Sequence, residues 1–393
     1  MKKYFTLIII ILLYFTMVVS AEEIKTIRCA TFNASMYRDM KGKLLEDLER
    51  GNDKQIENVA EIIQRINPDI LLINEFDYYE NNVAIDAFKR NYLEVPHNGS
   101  KPIYFNYTYH APSNTGVDTG YDLNKNGILH EADDCFGFGN FEGQYAFAIL
   151  SKYPIDYRNI RTFRKFLWKD MPNALIPYDY YTEEEVNILR LSSKNHVDVP
   201  IRIDDGIVFH ILASHPTPPT FDGPEDRNGR RNYDEIRFFA DYIDPNNSYY
   251  IYDDNGKKGG LTNDIFFIVM GDLNADPFDG DSIKGAVNQL LDKPMINQCV
   301  SYGSCTPSSL GGIEYSKSEY GSTSHKGDPA YDTASFAGGL RVDYVLPSAN
   351  LTTITSGIFW PTQDDPLYRL VEYTDNGPAS SDHHLVWIDI VMP

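Results

Sequence analysis

The sequence predicts an α+β protein in which two β-sheets pack together with helices outside, as one continuous domain over residues 22–393. Three observations predict it. Apolar runs with strand character outnumber helical ones, and several of them end in an acidic or amide side chain. No linker rich in Pro, Gly or Ser divides the chain, and no repeat period runs along it. With 393 residues, 42% of them hydrophobic, there is enough apolar material for one large core.

The chain opens with Lys2 and Lys3, an apolar run over 4–19, then Ser20, Ala21 and the acidic pair Glu22 and Glu23. This pattern predicts a signal peptide over residues 1–21, with Val19-Ser20-Ala21 as the cleavage site. An uncleaved anchor is the alternative, although the run is shorter than the ~20 residues of a usual membrane span. Either way the protein is expected outside the cytoplasm, with no stable span after cleavage. Cleavage removes two lysines and takes the formal charge from -21 to -23. So acidic a chain argues against a broad nucleic-acid-binding surface, which requires basic patches, but not against a small phosphate pocket.

Residues 24–32 alternate as a first strand, which ends at Asn33. Ile56, Val59, Ile62 and Ile63 give a helix over 54–66, stopped by Asn67-Pro68. The apolar run 69–74 follows as a buried strand with Glu75 at its tip. Further strands are expected at 145–150, 206–213, 265–270, 340–346 and 385–391, and helices at 232–243 and around 283–291. The connections 77–140, 154–204 and 293–338 exceed ordinary loop lengths and are expected to be functional or separately stapled.

Two strand tips carry the strongest chemical signal. Gly-Asp-Leu-Asn-Ala-Asp at 271–276 follows an apolar run and places Asp272 and Asn274 on one face of an extended segment. Ser-Asp-His-His at 381–384 precedes another strand and delivers Asp382 and His383 at its mouth, while His384 points to the opposite face. Such a pair of tips suggests phosphoester hydrolysis. That reaction calls for hard oxygen ligands to a cation, and for donors aimed at the charge that develops on phosphorus oxygens.

In this order the motifs resemble the endonuclease/exonuclease/phosphatase superfamily over nearly the whole mature length. Its first-strand asparagine resembles Asn33 in Ala-Thr-Phe-Asn, and its metal-binding glutamate resembles Glu75 in Leu-Leu-Ile-Asn-Glu-Phe-Asp. Its mid-chain histidine resembles His215 in Ala-Ser-His-Pro, and its Asp-x-Asn pair falls on Asp272 and Asn274. The histidine-orienting aspartate falls on Asp343 in Arg-Val-Asp-Tyr-Val-Leu, and the terminal Asp-His on Asp382 and His383. The resemblance implies a four-layer αββα sandwich of two mixed sheets. It also implies magnesium or manganese held by Glu75, Asn33 and Asp382, with Asp272 orienting or deprotonating water. Asn274 and His215 would then contact phosphate, and His383, paired with Asp343, would stabilise the developing charge.

Two departures turn the chain from its best-known nuclease relatives. Gln144 stands where pancreatic-type deoxyribonucleases have a glutamate that partners the mid-chain histidine, and Ser35 stands where abasic-site endonucleases have an aspartate. An amide does not stabilise an imidazolium, so His215 is expected to donate a hydrogen bond and not to act as a general acid. Asn33 and Gln144 are candidates for contacting substrate. Arg227, Arg230 and Arg231, after His215, either clamp a phosphate-rich substrate or neutralise the neighbouring acids Asp222, Glu225, Asp226 and Asp234.

Asp122, Asn124, Asn126, Gly127, the Ile128 carbonyl and Asp133 match a calcium-loop spacing, with aspartate at the twelfth place. The alternative is a plain Asn/Asp/Gly-rich turn. Cys29, Cys135, Cys299 and Cys305 are even in number and expected to pair outside a reducing compartment, in any of three connectivities. Sequons stand at Asn98, Asn106, Asn246 and Asn350. The sequence therefore predicts an exported metal-dependent phosphoesterase. Its alternatives are an extracellular nuclease acting on DNA or RNA, and a calcium-stabilised surface binding protein without catalysis.

Overall fold

In the computed structural model, which describes residues 25–204, 206–375 and 377–393, thirteen strands follow one another along the described residues. They are β1 (Thr26–Met36), β2 (Ile70–Phe76), β3 (Tyr107–His110), β4 (Phe147–Ser151), β5 (Arg161–Thr162), β6 (His196–Asp204), β7 (Ile207–Ser214), β8 (Phe266–Asp272), β9 (Asp343–Pro347), β10 (Thr353–Ile358), β11 (Tyr373–Thr374), β12 (Gly377–Pro378) and β13 (Val386–Val391). The expected signal peptide lies outside the described residues.

Six strands form one mixed sheet in the order β10-β13-β1-β2-β4-β3, and five form a second in the order β5-β6-β7-β8-β9; β11 and β12 make a separate hairpin. β1 runs parallel to β2 and antiparallel to β13, while β7 and β8 are the parallel pair of the second sheet. β1 also lies against β8 and β9, so the two sheets close face to face on one continuous core. Burial here follows the strand pattern: Ile27, Cys29 and Phe32 of β1 and Ile268 and Met270 of β8 are all inaccessible to solvent.

The main helices are α1 (Lys43–Arg50), α2 (Lys54–Ile66), α3 (Val83–Phe88), α4 (Glu183–Ile188) and α5 (Arg227–Tyr242). α2 begins where the Asp53 side chain accepts from the Ile56 N–H and ends at left-handed Asn67 before Pro68. Its Ile56, Val59, Ala60, Ile62 and Ile63 are buried against the first sheet. The expected helix around 283–291 shrinks to Asn288–Leu291. No helix among the described residues is long and apolar enough to cross a membrane.

β6 falls inside a stretch expected to be a connection, although Val197, Val199, Ile201 and Ile203 alternate in its sequence and all four are buried. Pro200 obscures the alternation. It is tolerated because only a short bridge through Ile155 and the two-residue β5 run along that side of β6, so the missing N–H interrupts no long ladder.

The cysteine expectation is corrected. Cys299 and Cys305 are bonded and staple the loop between them, but Cys29 and Cys135 are free and buried. Cys29 is fixed in the core of β1, where burial pushes its thiol well above the ordinary value, and it packs as a small apolar residue.

Candidate active site

The site forms where the tips of both sheets converge. Asn33 stands on β1 at a bulge, Glu75 on β2 one residue past the Asn33–Asn74 pairing, and Asp272 and Asp343 are direct partners across β8 and β9. His215 follows β7, and the 381–384 segment enters β13, with His383 bridged to Ala334. Four non-glycine residues at these tips, Ser35, Glu75, Tyr145 and Asn274, have left-handed backbones with φ between 47° and 57°. Such strain collects where surrounding structure must hold functional groups in place. Gly271 is required by close approach: a Cβ there would lie 2.0 Å from the Ser214 carbonyl oxygen, between β7 and β8.

Asp272 Oδ2 is the hub. It accepts from Asn33 Nδ2 at 3.0 Å, with His215 Nε2 at 3.4 Å and His383 Nε2 at 3.7 Å. Its Oδ1 accepts from the Asn274 N–H at 2.9 Å, while the Asn274 side-chain amide donates to the Pro216 carbonyl at 3.1 Å. The other nitrogen of His383, Nδ1, faces Asp343 Oδ2 at 2.8 Å. Asp343 is held in turn by Thr333, whose hydroxyl donates to Oδ2 at 2.8 Å and accepts from the Asp343 and Val342 N–H groups at 3.0 Å. Ser381 donates to the Asn33 carbonyl at 2.8 Å and accepts from the His383 N–H at 3.1 Å, tying β1 to the terminal Asp-His.

Burial sets the charge states. Desolvation alone would lower the His383 imidazole, but Asp343, Asp272 and Asp382 together outweigh it and hold the ring well above its ordinary value. His215 goes the other way: burial, with Lys194 and His383 nearby, keeps it well below, so it is neutral. The Glu75 carboxyl is pushed up to about 7, chiefly by burial and further by Asp272 and Asp382, against the opposing pull of His383 and Asn33.

Ligand atoms of Asp272, Asp343 and His383 lie within 4.8 Å of one another. Both ring nitrogens of His383 already face carboxylates, however, hydrogen-bonded to Asp343 and at ion-pair distance from Asp272, so this trio is a poor cradle for a cation. The better fit for a hard divalent ion is Glu75, whose carboxylate shares its surroundings with two further carboxylates and is destabilised by them. Asn33 and Asp382 can complete an oxygen-rich set there.

The structure brings Asn33, Glu75, His215, Asp272, Asn274, Asp343, Asp382 and His383 together. The expectation that Gln144 contacts substrate is corrected, and of the two readings of the arginines, Arg227 and Arg231 follow the structural one. Gln144 is fully buried, its Oε1 accepting from the Asn140 N–H and its Nε2 donating to the Arg38 carbonyl. Arg227 pairs with Glu225 and lies over the Tyr180 ring, and Arg231 donates to the carbonyls of Leu191, Phe136 and Arg190. Arg230 lies near Asp226 at the start of the same helix. Arg227 and Arg231 hold local structure together. His384, as its facing predicts, is buried and stacked on Trp360 at 3.7 Å.

The 122–133 loop is a chain of side-chain-to-backbone turns. Asp122 accepts from the Asn126 and Gly127 N–H groups, Asn124 accepts from Asn126, Asn126 accepts from Ile128, and Gly127 is left-handed at φ 87°. Asp133 is exposed, and it is Asp134 that reaches back to the Leu123 N–H.

Sequence reasoning missed Thr333, Lys194 and Glu235. Glu235 accepts from the Ser193 and Thr217 N–H groups at 2.6 Å each, fixing the loop after His215. The alternation of Val197 to Ile203, read back two residues beyond His196, was the available signal for Lys194.

Two mixed sheets with flanking helices, and a buried acid–histidine cluster at their joined tips, define a protein of the αββα sandwich class. The model of the Endonuclease/Exonuclease/phosphatase family matches residues 30–383, and the chain belongs to that family, whose members act on phosphate esters and are typically dependent on divalent metals. No curated protein matches the sequence. Among solved structures, the chain is similar to an endonuclease/exonuclease/phosphatase from Beutenbergia cavernae, at 14% identity and TM-score 0.49 over 93% of this chain and 72% of that one. It is also similar to a family member from Bacteroides thetaiotaomicron, at 13% identity and TM-score 0.47 over 94% and 98%. A third is sphingomyelinase C from Streptomyces griseocarneus, at 13% identity and TM-score 0.46 over 93% and 99%.

Proposed function

We propose that the protein is an exported, divalent-metal-dependent phosphoesterase that cleaves phosphodiester or phosphomonoester bonds by in-line attack of an activated water. The observation that carries this reading is the Asp272 hub: one buried carboxylate oxygen faced by an amide and two imidazoles, with the second imidazole backed by another carboxylate.

Asp272 Oδ2 is the atom placed to orient the attacking water and take its proton. Asn33 holds that carboxylate in position, and neutral His215 presents an N–H beside it. His383, kept protonated between Asp272 and Asp343, offers a charged donor to the phosphoryl oxygens as negative charge grows on them. Asp343, gripped by Thr333, fixes the ring and sustains its charge. Glu75, Asn33 and Asp382 would hold magnesium or manganese, which when bound supplies charge neutralisation at the phosphoryl group. The net charge of -21 favours a compact phosphate ester over a polynucleotide as substrate. The turn built on Asp122 and Gly127 supports a separate calcium ion in the 122–133 loop. The apolar segment at the start of the chain supports export.

The test is turnover of bis(p-nitrophenyl) phosphate by the purified mature chain with magnesium or manganese, compared with His383→Ala and Asp272→Ala. Each substitution is expected to lower the rate by about 10²- to 10⁴-fold. A folded wild type inert with every metal overturns the reading. Plasmid DNA and RNA cut by the wild type but not by His383→Ala would establish the nuclease alternative instead.

A further inference from the structure

Lys194 lies just before β6, and the pairing of His196 with Ser214 carries it opposite Pro216, beside His215. This is the tip where the Asn274 amide is tied to the Pro216 carbonyl. The backbone there is fixed, since the Lys194 carbonyl accepts from the Asn114 N–H at 2.8 Å. Lys194 is 6% exposed, yet its ammonium makes no hydrogen bond or ion pair with any described residue.

A nearly buried side chain whose ammonium keeps only a little solvent and has no partner is costly, and it persists where something compensates for it. The nearby anions act on it only through space, without pairing with it. Glu235 is taken up by Ser193 and Thr217, and Asp272 by Asn33 and the two histidines. Burial lowers the Lys194 ammonium, while the fields of Glu235, Glu75 and Asp272 act to keep it charged. Arg227 and Arg231, the other cations near this edge, already have partners.

We infer that Lys194 is a substrate-binding residue whose ammonium pairs with a phosphoryl oxygen of the ester. The substrate class it serves rests on the phosphoesterase reading; the anion site itself does not. A bound phosphoryl group would supply the counter-charge that the fold withholds from Lys194. This accounts for a lysine kept buried without a partner at the mouth of an acidic site.

The test uses the full mature chain with Lys194→Met and Lys194→Arg. Calorimetric titration with inorganic phosphate in chelator is run beside thermal melting and turnover of bis(p-nitrophenyl) phosphate with manganese. Lys194→Met is expected to weaken phosphate binding by about tenfold to about a hundredfold, the range for one lost charge-assisted hydrogen bond. Its melting temperature should hold or rise, because an unpaired and largely desolvated charge has been removed, and Lys194→Arg should recover part of the binding. Unchanged phosphate affinity in Lys194→Met overturns the inference. So does a loss of affinity that comes with a lower melting temperature and is not recovered by Lys194→Arg, since that marks a structural lysine. A wild type inert on the diester whose phosphate binding still depends on Lys194 defeats the phosphoesterase reading alone. An active enzyme whose phosphate binding ignores Lys194 defeats this inference alone.

Discussion

Glu75→Gln should make the metal-free protein more stable at alkaline pH while removing its response to divalent ions. The Glu75 carboxyl is pushed up to about 7 from an ordinary 4.5, chiefly by burial. A carboxyl raised on folding binds its proton more tightly in the native state than in the unfolded chain. Below about pH 4.5 both states are protonated and the group is neutral to stability. Between 4.5 and about 7 the native state retains a proton that the unfolded state has released, so stability falls as pH rises. Above 7 the full penalty is present. At about 1.4 kcal/mol per unit the shift corresponds to about 3 kcal/mol, and about 2 kcal/mol after discounting for the part of the side chain that faces solvent. Glutamine keeps the shape without the charge. Denaturant unfolding in chelator should therefore show the variant more stable by about 2 kcal/mol at pH 8, converging with wild type at pH 4.5. Added manganese should stabilise wild type at pH 8 and leave the variant unmoved. A variant less stable than wild type at pH 8 in chelator, or one that responds to manganese as wild type does, would refute the reasoning.

Gly271→Ala forces a Cβ against the Ser214 carbonyl at a strained φ of 150°, so about 3 kcal/mol of destabilisation and a loss of turnover are expected together in melting and kinetic measurements. A variant that melts like wild type would show that β7 and β8 can part without cost. Thr333→Val removes the hydroxyl that grips Asp343, and turnover should fall about tenfold or more with KM little changed; Thr333→Ser should restore most of it, and equal rates for Val and Ser would refute the role. Calcium should raise the melting temperature of wild type and leave that of Asp122→Ala unmoved, whereas identical melting of the two proteins with calcium and with chelator marks a plain turn.

What the sequence disclosed and what it hid divide along physical lines. Asn33, Glu75, His215 and Asp343 were legible because the order of the motifs resembles the family's, and Asp272, Asn274, Asp382 and His383 because they sit at the tips of apolar strand runs. α2 was legible for a similar reason: Ile56, Val59, Ile62 and Ile63 repeat at helical spacing between a capping Asp53 and Asn67-Pro68. β6 was hidden by Pro200, whose cost depends on whether a full ladder runs beside it, and that is a property of the sheet. For Arg227 and Arg231 the sequence left a phosphate clamp and a structural network equally open, because three cations after a histidine carry no sign of whether they will meet substrate, the Glu225 carboxylate or backbone carbonyls.

By itself, then, the sequence determined the order of the strand tips and the kinds of atom each delivers, since side-chain direction along a strand and the chemistry of carboxylate, amide and imidazole are local properties. Only the tertiary structure decided which of those atoms meet, that Gln144 turns inward to backbone groups, that Cys29 and Cys135 remain apart, and that Lys194 is buried without a partner. Pairing, burial and the pKa values that follow from them depend on residues far apart in the chain, and no local pattern encodes those distances.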